Sequence, residues 1–102
     1  MQSFSISNMD GEHLGFLVMD MEYTHQTSGT LMIKVQTAET FMIGQPETLA
    51  LQELANMAKN WQIQEQEVII SDDENDPCAR VRGEYLSFRR YTYRLNDLTG
   101  VC

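Results

Sequence analysis

The chain has 102 residues, 42% of them hydrophobic and 22% charged, and a net charge of −8. That length suits one domain over residues 1–102 whose core needs no staples, and the composition excludes intrinsic disorder. The negative charge disfavours binding to nucleic acid or anionic membranes and favours encounter with a basic partner.

The longest apolar-rich run, Leu14–Met21, is broken by Gly15 and Asp20 and is too short to span a bilayer. The first residues, Met1-Gln2-Ser3-Phe4, lack the basic and apolar regions of a signal peptide, so the cytoplasm is the expected compartment. Two cysteines, Cys78 and Cys102, make neither a disulfide framework nor a zinc site.

In chain order, Phe4 and Ile6 alternate with serines and predict a short strand, ended by the turn signal Asp10-Gly11. Leu17, Met19, Met21 and Tyr23 alternate with Asp20, Glu22 and Thr24, giving a half-buried strand that could begin at Leu14. A turn at Gln26–Gly29 leads to the returning strand of Leu31, Ile33 and Val35. Phe41-Met42-Ile43 reads as a further short strand or a bulged continuation of the last. Pro46 and Glu47 suit a first helical turn, where a missing N–H costs nothing and a carboxylate meets the positive dipole end. Leu51, Leu54, Ala58 and Trp61 then fall on one face, predicting an amphipathic helix over about 47–61.

Strand alternation returns over Gln62–Ile70, although Glu65 and Glu67 share a parity with Ile63 and Ile69. An acidic loop, Ser71–Pro77, separates it from a long strand over Arg80–Leu95 in which Gly83 marks a bulge. Strands, one helix and more strands predict an α+β fold: a single antiparallel sheet of about five or six strands with the helix packed on one face.

Charge is most uneven in this last third. Residues 61–79 hold six carboxylates and no base, and five of the seven Lys/Arg residues follow. Asp72, Glu74 and Asp76 alternate as calcium ligands do, but Pro77 stands where an EF-hand needs glycine and Gly83 where it needs glutamate. His13 and His25 match no metal spacing. They could form the acid/base pair of a small ribonuclease, but no nucleophile, base and orienting group converge. No cofactor motif is present, and no enzymatic activity is expected.

Arg80, Arg82, Arg89, Arg90 and Arg94, interleaved with Tyr91 and Tyr93, form the one pattern that suits nucleic-acid binding through stacking. Their plainer role is to pair with Glu65, Glu67 and Glu84 on adjacent strands. Asp72, Asp73, Glu74 and Asp76, helped by Glu65 and Glu67, make the better candidate site. They fit a small inhibitor of a basic protein, such as an immunity or antitoxin protein that places carboxylates in the cationic site of a nuclease toxin. The alternatives are the nucleic-acid module, an accessory subunit of a larger complex, and a homodimer joined at a sheet edge, Gln62–Ile70 or Arg80–Leu95.

Overall fold

The computed structural model describes residues 1–98; Cys102 lies outside them. The sheet does not stay open. Eight antiparallel strands pair in sequence order and the last closes on the first. They are β1 (Gln2–Ser7), β2 (His13–Met19), β3 (Ser28–Val35), β4 (Asn60–Gln64), β5 (Glu67–Ser71), β6 (Pro77–Arg82), β7 (Tyr85–Phe88) and β8 (Tyr91–Asp97). The α+β open sheet of five or six strands is therefore corrected to an up-and-down barrel carrying one short helix, α1 (Pro46–Met57). Closure follows from the pairing Phe4↔Asp97 through Ser7↔Arg94, which joins β1 to β8. The strands proposed as dimer edges are instead hydrogen-bonded on both sides.

The extra strands come from tight turns made of residues that do not advertise turns. Gln62–Ile70 is broken by Glu65 (φ 50°) and Gln66 (φ 70°), both left-handed as a type I′ hairpin demands. Arg80–Leu95 is three strands. Gly83 (φ 61°) and Glu84 join β6 to β7, so Gly83 marks a turn and not a bulge. Arg89 (φ 55°) and Arg90 join β7 to β8, with arginine where such a turn prefers glycine.

Directly opposed residues share a face of a sheet. The pairs Leu17↔Ile33, Trp61↔Ile70, Val81↔Leu86, Leu86↔Tyr93 and Ile6↔Leu95 are all buried and line the inside. Eight strands give a barrel just wide enough for side chains to fill, and these fill it. Gly15 also faces inward, where a Cβ would strike the Lys34 carbonyl oxygen across the β2–β3 ladder. Lys34, Arg80, Arg82 and Arg94 point outward and are exposed. The strands, four to eight residues long, are shorter than the roughly nine to eleven of membrane-crossing strands. No helix is long and apolar enough to cross a membrane among the described residues.

The predicted helix is shorter than its apolar pattern. It ends at Met57, and Trp61 belongs to β4, where the same inward-facing requirement makes it apolar. The expected strand at Phe41–Ile43 is a 3-10 turn, Thr40–Gly44, with only Met42 buried. The strand expected to reach Tyr23 stops at Met19, and Tyr23 is exposed in the loop beyond. Helix α1 buries Thr48, Ala50, Leu51 and Leu54. It packs mainly on β3, which pairs with β4 only over Ser28–Thr30. The buried Tyr93 hydroxyl donates to the Glu47 carbonyl at 2.5 Å and fastens the start of the helix to β8.

Candidate functional site: the acidic loop

The up-and-down order sends residues 8–12, 36–59, 72–76 and 89–90 to one end of the barrel, called here the helix end. Residues 20–27, 65–66 and 83–84 go to the other. This divides the predicted carboxylate set. Asp72, Asp73, Glu74 and Asp76 lie at the helix end, while Glu65 and Glu67 lie at the opposite end, about 15 Å away along β5. The loop and the two glutamates are therefore two separate clusters, and Glu67 is already paired with Arg80 and Arg82.

The loop is a built structure. Asp72 Oδ1 accepts hydrogen bonds from the backbone N–H of Glu74 (2.9 Å) and of Asp76 (3.0 Å). Asp72 N–H donates to the Asp76 carbonyl at 3.0 Å, and Asn75 N–H to the Asp72 carbonyl at 3.1 Å. Asn75 takes φ 64°, a conformation that asparagine tolerates better than most residues. From the β4 side, Asn60 Nδ2 reaches the Asp72 carbonyl and Asn75 Oδ1, each at 3.4 Å. Asp72 is thus half-buried and committed to the turn, which leaves Asp73, Glu74 and Asp76 exposed. Cys78 sits half-buried just beyond; burial, then the nearby Asp72 charge, push its thiol pKa up, so it is a poor nucleophile.

Four of the five arginines are engaged elsewhere. Arg80 and Arg82 both pair with Glu67, Arg89 pairs with Glu53, and Arg94 pairs with Glu84. The expected pairing between adjacent strands thus holds for Glu67; Glu84 meets Arg94 from the β6–β7 turn, Glu65 enters no ion pair among the described residues, and Arg89 turns to Glu53 on the helix. Surface pairs of this kind add only about 0–1 kcal/mol each, but with four arginines on three carboxylates they offset much of the positive charge that a nucleic acid would need. Tyr93 faces the core, fully buried, where burial foremost holds its phenol pKa well up, so it offers no ring to a base. Tyr91 is half-buried, with the Arg90 guanidinium 5.4 Å from its ring centre.

His13 begins β2 at the helix end, and His25 lies in the loop at the far end. A seven-residue strand, about 20 Å long, separates them, so they form no acid/base pair. Among the described residues, no group of three or more His, Cys, Asp or Glu is placed to hold a metal.

An eight-stranded up-and-down barrel with a structured acidic loop is the class of protein that these observations define. A family model described as HLGFF-containing, Neisseriales, matches residues 1–102, and the chain belongs to that family. The run in the family's description stands here as His13-Leu14-Gly15-Phe16-Leu17, with leucine in the fifth place. Leu14, Gly15 and Leu17 of this run are buried, and Gly15 is the close approach between β2 and β3. His13 and Phe16 are half-buried with their rings 4.8 Å apart, edge to face. No curated protein and no solved structure matches the chain.

Proposed function

We propose that the chain acts by binding a basic protein through the Asp72–Asp76 loop, as an inhibitor whose carboxylates stand in for phosphates in a cationic active site. The observation that carries this reading is the crowding of carboxylates on one ordered turn. Asp73, Glu74 and Asp76 are exposed within four residues of chain that Asp72 holds in shape, and none of the ion pairs found among the described residues reaches them. Asp72 fixes the loop before any partner arrives, which lowers the ordering cost of association. Like charges held together without a counter-ion repel, and a partner's cationic cleft relieves that repulsion.

The partner class is a basic intracellular enzyme, most concretely a nuclease toxin, and the setting is the cytoplasm. An accessory subunit that docks on a basic neighbour would use the same loop. Non-catalytic binding is the role proposed for the chain itself. The test is to purify the chain with a basic protein encoded beside it and to measure affinity at low and high salt. A phosphate-mimic loop predicts an association rate that falls steeply with ionic strength. Binding that is indifferent to salt would overturn the reading.

A further inference from the structure

A second place at the helix end has the opposite character. A groove of about 490 Å³ runs between the first half of α1 and the β7–β8 turn. Pro46, Leu49, Ala50 and Tyr91 give it an apolar floor, and Glu53, Arg89 and Arg90 line its rim. Leu49 is 54% exposed, more than half uncovered for a large aliphatic side chain on a helix.

Arg90 has no carboxylate partner among the described residues. Its guanidinium stays near the Tyr91 ring and donates to the Tyr91 hydroxyl at 3.4 Å. Arg89 is paired with Glu53 and also lies 4.8 Å from the centre of the Phe88 ring. Two arginines against one glutamate leave the rim with one net positive charge on a chain of net charge −8. The comparable groove at the other end holds Arg80 and Arg82 against Glu65 and Glu67, where the charges cancel.

We propose that this groove binds an organic monocarboxylate with an apolar body, its carboxylate on Arg90 and its body over Leu49 and Tyr91. A guanidinium presents a planar fork that matches a carboxylate. Glu53 in the same rim repels a second negative charge, which disfavours a phosphate dianion. The positive end of the α1 dipole, at Pro46, adds to the attraction. The volume is that of a small-molecule site, apolar with a few polar anchors. This inference does not depend on the acidic loop.

The test is to titrate the ¹⁵N-labelled full chain with octanoate, octanamide and inorganic phosphate while following amide and arginine side-chain signals. Octanoate should give saturating shifts confined to Leu49, Glu53 and Arg89–Tyr91. Octanamide should bind at least about tenfold more weakly, the loss expected for one charge-assisted pair. Arg90→Gln should cause the same loss while its spectrum elsewhere overlays the parent. Leu49→Gln, a change at an exposed helix position, should weaken octanoate without altering the fold. Octanamide binding as tightly as octanoate, phosphate binding more tightly than octanoate, or no saturation by octanoate would each overturn the proposal.

Discussion

Replacing Gly15 with alanine should destabilise the barrel by about 3 kcal/mol, the upper end of the usual cost of overpacking. The added Cβ would run into the Lys34 carbonyl oxygen, with Val35 Cα 3.0 Å and the Lys34 carbonyl carbon 3.1 Å away. All three are backbone atoms of β3, so no side chain can rotate to make room. Either the strands part where Gly15 opposes Val35, or strain spreads along a ladder that helps to close the barrel. Trp61, the one tryptophan and 1% exposed, reports unfolding through its fluorescence. With a urea dependence of about 1.5 kcal/mol per molar, the midpoint should fall by about 2 M. Gly44→Ala is the control: a Cβ there meets nothing within 4 Å, and its effect should stay within about 0.5 kcal/mol. A Gly15→Ala midpoint equal to the parent's would refute the close approach of β2 and β3.

Tyr93→Phe removes the bond that holds the helix start and should cost about 1–3 kcal/mol, because it strands the Glu47 carbonyl. The phenol is an acid whose folded pKa is raised above its ordinary value of 10.0. Its contribution is therefore full below pH 10 and is lost as pH climbs toward the folded value, at about 1.4 kcal/mol per pH unit. Denaturation midpoints measured from pH 8 to 11 should show that fall in the parent and a smaller one in Tyr93→Phe. Asp72→Ala should speed hydrogen exchange at the Glu74 and Asp76 amides and cost about 1–2 kcal/mol, whereas Asp72→Asn, which keeps an accepting oxygen, should change little. Equal exchange in the two variants would show that Asp72 does not hold the loop. The Thr48 hydroxyl is buried with no partner, so Thr48→Val should stabilise by about 1 kcal/mol in urea unfolding. A loss of stability there would mean that the hydroxyl is satisfied after all.

What the sequence made legible was the strand period and the helix start, because alternation and Pro46 act locally. The hairpin from β2 to β3 and the acidic turn were both readable this way. Barrel closure was not, since it rests on β1 finding β8 across almost the whole chain. The missed turns had a signal nonetheless. Leu86 and Phe88 fall on the parity of the arginines, yet both are buried, because each two-residue turn shifts the inward parity by one. In the same way Ile70 takes over from Trp61 after Glu65-Gln66, the two buried side chains lying opposite each other. Reading Glu65 and Glu67 as residues of one continuous strand hid the reversal that sends them away from Asp72–Asp76. Arg89-Arg90 was opaque as a turn because neither residue favours left-handed backbone; the surrounding pairing imposes it. The groove beside it was invisible for the same reason, since only the turn brings Arg90 to α1.

The claim that the loop is the binding surface stands or falls with one calorimetric titration. A basic nuclease encoded beside this chain would be titrated with the parent and with a variant carrying Asp73→Asn, Glu74→Gln and Asp76→Asn. Those side chains are exposed and outside the network that Asp72 maintains, so the variant should fold as the parent does. The account predicts a loss of affinity of at least about a hundredfold, about 2.8 kcal/mol or more spread over three desolvated charge pairs. Unchanged affinity in the folded variant would contradict it.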